Sequence, residues 1–200
     1  MCLKTEARCH VSKLYVDGCS FTYAQGLDRQ YSVGAQLNAT VDKSRPGKSN
    51  TAIVTELFDD IDKYDIFVIG LTYPPRYTFY NNNIPVDIQP GKQQLDTLVG
   101  HPMGEFIEKT YPQFCKVLWS LTSEQNMNTL SNFYLNSIIS LFKEKNKKYI
   151  IYSLTPLQCN DTNYFHLTIP NTLQYRISLT DIHFNITGMQ LLVSQIKERL

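Results

Sequence analysis

The sequence predicts one α/β domain over residues 1–200, built on a parallel sheet with helices on both faces. Short apolar runs typical of buried strands alternate with longer segments in which apolar residues recur every three or four positions. The length of 200 residues suits a single α/β domain, and a hydrophobic content of 42% is enough for a sizeable core.

The first part of the chain predicts strand, helix and short strand in turn. Strand one is expected at about 13–18, where an apolar run ends in Asp, Gly, Cys and Ser. A helix is expected at about 22–37, and a short strand within 38–43.

The middle of the chain carries a clear helix and the clearest strand. Ile53, Leu57 and Ile61 recur every four residues, which indicates a helix with one buried face. The run "YDIFVIGL" at 64–71 is nearly all apolar and β-prone, which is typical of a strand buried on both faces. The stretch 72–104 has no periodicity, and loops of that length are usually functional or disordered.

The last part predicts two helices and two further strands. A long amphipathic helix is marked by Met127, Leu130, Tyr134, Ile138 and Leu141. A fourth strand is expected at 148–154, a loop at 155–170 and a fifth strand at 173–179. The final helix buries Met189, Leu192, Val193 and Ile196 on one face.

The charge balance argues against a nucleic-acid partner, and the lack of a long apolar run argues against a membrane partner. Lys and Arg total 19 and Asp and Glu total 18, so no basic surface recommends nucleic acid. The one dense basic run, 143–149, falls where a helix should end and complements its dipole. No run reaches the roughly 18 apolar residues of a membrane span, and "MCLKTEARCH" lacks the apolar region of a signal peptide. We therefore expect no membrane partner and a cytoplasmic location.

The cysteines predict neither a disulfide framework nor a metal site. Their number is odd, their spacing is irregular and no CxxC pair occurs among Cys2, Cys9, Cys19, Cys115 and Cys159. A reduced cytosolic protein without a metal or cofactor is the expectation, and the glycosylation sequons then carry no weight.

Four chemically capable residues follow the predicted strands. In parallel sheets, sites form at the carboxyl ends of strands, and this rule selects Ser20, Gly47, Thr72 and the loop around His183. Serine ester hydrolysis needs a nucleophile, a histidine base and donors for the oxyanion. Ser20 supplies the first and His183 the second, and Asp181 can orient the imidazole.

These residues lie in four blocks that resemble the SGNH (GDSL-like) hydrolases. The chain is most similar to the branch whose first block reads Gly-Cys-Ser-Phe/His-Thr. The matching blocks, in family order, are Gly18-Cys19-Ser20-Phe21-Thr22, Pro46-Gly47-Lys48-Ser49-Asn50, Gly70-Leu71-Thr72 with Arg76, and Asp181-x-His183 with Asn185 and Gly188. Each block alone is weak, but four in order across nearly the whole chain are fairly specific.

The resemblance implies a three-layer, flavodoxin-like fold with a five-stranded parallel sheet and a serine esterase mechanism. It makes Ser20 the nucleophile, His183 the base, and Ser20 N–H, Gly47 N–H and a third group the oxyanion hole. Thr72 stands where the family at large has an asparagine. The family acid is commonly three residues before the histidine, which is Thr180 here, whereas Asp181 is two before.

Simpler interpretations stay open for the same residues. Ser20 is also a good helix cap, Gly47 also suits a turn after proline, and Thr72 is also a plain strand-end hydroxyl. Asn50 and Arg76 are candidate substrate-binding residues, although a helix cap or loop bracket at Asn50 and a structural bridge across the long loop at Arg76 are the simpler interpretations. Cys19 is the rival nucleophile, but alternation along the strand turns it inward when Ser20 points outward.

The substrate class is predicted only in outline. The stretch 72–104 is rich in Tyr, Asn and Pro, which suits a sugar or similar polar scaffold carrying a small acyl group such as acetyl. Two alternatives are a catalytically impaired fold that binds a ligand or partner, and a nucleotide-binding module. The second lacks both GxGxxG and GxxxxGK[ST] at the first turn.

Overall fold

The computed structural model describes residues 11–73, 76–81, 84–88, 124–170, 172–178 and 180–200. The strands are β1 (Leu14–Gly18), β2 (Val41–Asp42), β3 (Ile66–Leu71), β4 (Tyr77–Asn81), β5 (Ile84–Ile88), β6 (Lys148–Ser153) and β7 (Tyr164–His166). The helices are α1 (Ser20–Tyr23), α2 (Val33–Gln36), α3 (Asn50–Asp60), α4 (Glu124–Glu144) and α5 (Ile186–Lys197), with a 3₁₀ turn at Arg29–Tyr31.

The predicted five-stranded parallel sheet is confirmed. Its strand order is β2-β1-β3-β6-β7, and every neighbouring pair is parallel. Strands β1 and β3 run in register, so that Gly18 lies opposite Gly70 at their carboxyl ends. The first and third blocks of the sequence therefore end side by side.

Helices cover both faces of this sheet, which gives the three-layer α/β/α arrangement. Along β3, Phe67 and Ile69 face α3 and α4, whereas Val68 faces the layer that contains α5. This alternation is the two-residue period expected of a strand buried on both sides. No helix among the described residues is long and apolar enough to cross a membrane.

The prediction of one helix over 22–37 is wrong. The structure has α1, the 3₁₀ turn and α2 there instead. Ala24 and Gly26 have φ angles of 65° and 87°, which a continuous right-handed helix does not allow. Asp28 and Ser32 then cap new turns, because each side chain accepts a hydrogen bond from a backbone N–H two or three residues later.

The fifth strand was also misplaced by the sequence pattern. It is β7, inside the segment predicted to be a loop at 155–170, and its three residues pair with Ile151–Ser153. So short a strand has no periodicity to detect. Of the predicted strand at 173–179, the described part is mostly turn, with one antiparallel bridge between Arg176 and Phe184.

Two other elements differ in detail. The buried face of α4 carries Ser131, Leu135, Ile138, Ile139 and Phe142, about one residue away from the predicted stripe, and Leu130 is 45% exposed. Part of the supposedly irregular 72–104 stretch forms the antiparallel β4–β5 hairpin. Residues 74–75, 82–83 and 89–104 of the stretch lie outside the described residues.

Candidate active site

The turn after β1 places Ser20 at the first position of α1. Cys19 precedes it and packs in the core at 1% exposure, as strand alternation predicts. The Ser20 side chain is not open to solvent either, because it is also 1% exposed. Its hydroxyl finds no hydrogen-bond partner among the described residues. A buried hydroxyl without a partner costs about 1–3 kcal/mol and calls for an explanation.

Two glycines make room for the structure beneath this turn. A Cβ on Gly18 would lie 2.0 Å from the Thr22 hydroxyl, and one on Gly70 would lie 2.5 Å from both the Thr22 and Tyr152 hydroxyls. Those two hydroxyls are hydrogen-bonded to each other at 2.7 Å. The glycines and the threonine of the first and third blocks therefore serve close packing at the strand ends.

Gly47 lies in a turn that is attached directly to the end of β1. The Lys48 N–H bonds the Arg45 carbonyl at 3.5 Å across the turn. Proline at the second position and Gly47, with φ of 79°, at the third are typical of a type II turn. The Arg45 N–H in turn donates to the Gly18 carbonyl at 3.2 Å, so the turn runs beside the nucleophile segment.

Thr72 is held at the end of β3 by Asn50. The Thr72 N–H donates to Asn50 Oδ1 at 2.8 Å, and Asn50 Nδ2 donates to the Thr72 carbonyl at 3.2 Å. Thr72 is 1% exposed, and its hydroxyl finds no partner among the described residues. Both polar atoms of the Asn50 carboxamide thus bond the backbone of Thr72. This agrees with the interpretation that Asn50 braces the loops.

The fourth block forms a hydrogen-bonded acid–histidine pair. Asp181 Oδ1 accepts both the His183 backbone N–H at 3.0 Å and His183 Nδ1 at 2.7 Å. Burial alone would raise the pKa of Asp181, but these two bonds hold it below its ordinary value. A proton on Nδ1 leaves Nε2 with a lone pair for use as a base.

The histidine lies against the residue next to the nucleophile. The rings of His183 and Phe21 have centroids 5.0 Å apart, and Phe21 directly follows Ser20. The loop is fastened by the Ile177 N–H, which donates to the His183 carbonyl at 3.0 Å. The four blocks therefore lie near the carboxyl ends of β1 and β3, although Ser20 Oγ makes no hydrogen bond with His183.

Arg76 lies between Thr72 at the end of β3 and the start of β4. On either side of it, Asn50 contacts Thr72, and Ser49 Oγ lies 2.6 Å from Thr78 Oγ1. The Arg76 Nε and Nη1 atoms are buried without a partner among the described residues. Its role in binding substrate remains a prediction.

Sequence reasoning missed a buried charge network beside the site. Lys48 Nζ contacts Asp17 Oδ1 at 2.6 Å, Asp17 Oδ2 at 2.7 Å and Glu56 Oε2 at 2.9 Å. Asp17 and Lys48 are fully buried, and Arg45 pairs with the other Glu56 oxygen at 2.7 Å. The sequence signal for this network was Asp17, because a charged residue within an otherwise apolar, buried strand requires a partner.

Burial dominates the titration of Asp17. It raises the pKa, Lys48 opposes the rise, and the net value is about 6. By its geometry the pair with Lys48 is a fully buried salt bridge, with Lys48 Nζ 2.6 Å from Asp17 Oδ1. Removing one partner of such a pair typically costs about 3–5 kcal/mol, because a buried charge is left alone.

Open cavities lie elsewhere on the described part of the protein. One of about 850 Å³ is lined by residues such as Lys143, Leu157 and Asp161, and one of about 490 Å³ includes Gln36 and Lys197. Neither includes the four blocks, so the chemistry of the residues rather than cavity size locates the site. No cluster of His, Cys, Asp or Glu suited to a metal ion occurs among the described residues.

Comparison with known proteins establishes the fold. No family model and no curated protein sequence matches the chain. Among solved structures, a psychrotrophic esterase EstA from Pseudoalteromonas sp., inhibited by monoethylphosphonate, aligns over 94% of this chain and 96% of its own with a TM-score of 0.50 and 11% identity. TesA aligns over 94% and 98% with a TM-score of 0.54 and 12% identity.

The chain shares the fold of these two proteins. Alignment over nearly their whole lengths is consistent with the five-stranded parallel sheet described above. At 11% and 12% identity the likeness concerns the fold, and the roles of individual residues rest on the geometry of this chain.

Proposed function

We propose that this protein is a serine ester hydrolase of the SGNH type. One observation carries the proposal: the buried hydroxyls of Ser20 and Thr72, each two residues after the paired glycines Gly18 and Gly70 of adjacent strands, find no partner among the described residues. An aspartate-oriented imidazole lies against the ring next to the first of them. An oxyanion donor is a group whose partner arrives with the substrate, which explains the unpaired Thr72 hydroxyl. Ser20 Oγ makes no hydrogen bond with His183 in this structure, so that bond has to form when substrate binds.

The proposed reaction has two halves. Ser20 Oγ attacks the acyl carbonyl carbon while His183 Nε2 takes the hydroxyl proton, and the negative charge moves to the carbonyl oxygen. Collapse of this intermediate breaks the ester bond, and His183 returns the proton to the departing alcohol. Water then repeats the sequence on the acyl-enzyme, which releases the acid and restores Ser20.

The proposed oxyanion hole joins the two turns and the strand end. Its donors are the Ser20 N–H, the Gly47 N–H and the Thr72 hydroxyl. Asp181 holds the imidazole by Nδ1 and stabilises the imidazolium that forms in each half-reaction.

For the substrate we propose a small acyl group, such as acetyl, esterified to a carbohydrate or another polar molecule. The near-complete burial of Ser20 supports a short acyl chain, because little space adjoins the hydroxyl. The abundance of Tyr and Asn in 72–104 supports a polar alcohol portion. Two guanidinium atoms of Arg76 are buried without a partner among the described residues, which supports a role in binding a negatively charged part of that substrate.

Labelling with a fluorophosphonate tests the serine mechanism. We expect covalent modification at Ser20 in wild type, mapped by peptide mass spectrometry, together with hydrolysis of p-nitrophenyl acetate. Inactivation by iodoacetamide in a protein that ignores the fluorophosphonate would instead assign the chemistry to a cysteine. A folded protein inert to both reagents and to the ester supports the alternative, a catalytically impaired fold that binds a ligand or partner.

Substitutions at Thr72 distinguish an active esterase from a catalytically impaired binding protein. A threonine hydroxyl rotates more freely than the carboxamide found in the family at large, so its contribution as a donor has to be measured. We expect Thr72→Ala to lower kcat by about ten- to a thousandfold with little change in KM, because the oxyanion exists only in the transition state. The measurement is steady-state kinetics on p-nitrophenyl acetate.

Thr72→Asn is the matched variant for this test. It restores the family's amide donor, and we expect it to retain or raise activity. Wild-type kinetics in Thr72→Ala would restrict the oxyanion hole to Ser20 and Gly47. Activity that appears only in Thr72→Asn would favour the binding protein.

A further inference from the structure

The buried ion pair between Asp17 and Lys48 connects the two turns of the candidate site. Asp17 is the third residue before Ser20 on the nucleophile segment, and Lys48 directly follows Gly47. Lys48 Nζ contacts both carboxylate oxygens of Asp17, at 2.6 and 2.7 Å, with neither side chain exposed to solvent. One short side-chain bridge thus joins the segments that carry the two proposed backbone oxyanion donors.

Each end of the bridge is itself fixed. Asp17 accepts the Gly18 N–H at 2.7 Å and the Tyr15 hydroxyl at 3.0 Å. Lys48 Nζ also contacts Glu56 Oε2 at 2.9 Å and the Lys43 carbonyl at 3.3 Å. The ammonium is therefore held from several sides, and a shift of either turn would strain several charge-assisted bonds at once.

We propose that Lys48 and Asp17 are positioning residues that hold the Gly47 amide at the correct distance from the Ser20 amide. The inference rests on the proposed esterase function, which makes those two amides oxyanion donors. Stability does not explain the pair, because a buried ion pair is often no more stabilising than apolar residues of similar size. Geometry does explain it, because donors for an oxyanion must be placed before the charge develops.

The test uses a variant that removes the bridge without leaving a lone buried charge. In Asp17→Asn/Lys48→Met, the new carboxamide can still accept the Gly18 N–H, and Glu56 keeps its 2.7 Å contact with Arg45. We expect kcat on p-nitrophenyl acetate to fall about ten- to a hundredfold, with KM changed less than about threefold. The single variant Lys48→Met leaves the Asp17 carboxylate buried without its partner. We therefore expect it to lower the melting temperature more than the double variant does.

Lys43→Met is the matched control. It removes the contact of Lys43 with Asp60, an ion pair in the same neighbourhood that does not include Asp17, and leaves the Lys43 carbonyl in place. Asp60 keeps its contact with Lys63 at 2.7 Å. We expect wild-type kcat and KM in this variant, whereas a drop as large as that of the double variant would overturn the assignment to Lys48 and Asp17.

A second readout does not depend on activity. We expect the backbone amide signal of Gly47 in ¹H–¹⁵N spectra to shift or broaden in the double variant and to stay unchanged in Lys43→Met. An unchanged Gly47 signal, or unchanged kcat in a folded double variant of an active protein, overturns the positioning role. A wild type that ignores ester and fluorophosphonate overturns the proposed function instead, and the amide signal still decides whether the pair positions the turn.

Discussion

Replacing Ser20 with alanine is expected to abolish ester hydrolysis and fluorophosphonate labelling together. Loss of the nucleophile in a serine hydrolase lowers kcat by about a millionfold, leaving only what the oxyanion donors and substrate binding contribute. Folding should be little affected, because the Ser20 hydroxyl makes no hydrogen bond with the described residues. The measurement is kcat on p-nitrophenyl acetate with the melting temperature of each protein.

Cys19→Ala is the control for this experiment. The thiol is the neighbouring nucleophile, but it packs in the apolar core at 1% exposure. We expect wild-type kinetics after a modest loss of stability from the missing sulfur atom. An active Ser20→Ala protein, or an inactive but folded Cys19→Ala protein, would contradict the serine mechanism.

Substitutions at Asp181 are expected to give the second-largest effect, and the replacement side chain should set its size. In Asp181→Asn the negative charge is lost, and the carboxamide NH2 can face Nδ1 and favour the wrong tautomer of the imidazole. We expect kcat to fall by up to about ten-thousandfold, as the same substitution does in a serine protease. In Asp181→Ala both bonds, at 3.0 and 2.7 Å, disappear but no donor faces Nδ1, and we expect kcat to fall about tenfold or more.

Thr180→Ala is the matched control, since Thr180 occupies the position three residues before the histidine. Its hydroxyl lies 3.1 Å from Ser178 Oγ, and no contact with His183 is seen. We expect wild-type kinetics and an unchanged melting temperature there, because Thr180 is exposed. The two Asp181 variants should remain folded, with a small loss of melting temperature in Asp181→Ala from the two missing bonds. Full activity in Asp181→Ala would mean that a backbone carbonyl or water orients His183, and that Ser20 and His183 act as a dyad.

Elements with a long or regular pattern were predictable from the sequence. The four-residue spacing of Ile53, Leu57 and Ile61 and the apolar run at 64–71 led to α3 and β3, which the structure confirms. The failures share a physical cause, since 22–37 and 164–166 are governed by backbone angles, caps and pairing rather than by hydrophobic period. A left-handed Ala24 and a three-residue strand leave no periodic trace.

The sequence by itself determined the parallel α/β architecture and nominated Ser20, Gly47, Thr72 and His183, because strand order implies a common edge and the residue types imply a chemistry. Only the tertiary structure decided how those residues are held. It showed that Asn50 braces Thr72, that Asp181 bonds His183 twice, and that Asp17 pairs with Lys48 in the interior. Hydrogen bonds and ion pairs between distant segments depend on distances of a few tenths of an ångström, and residue spacing along a chain does not encode them.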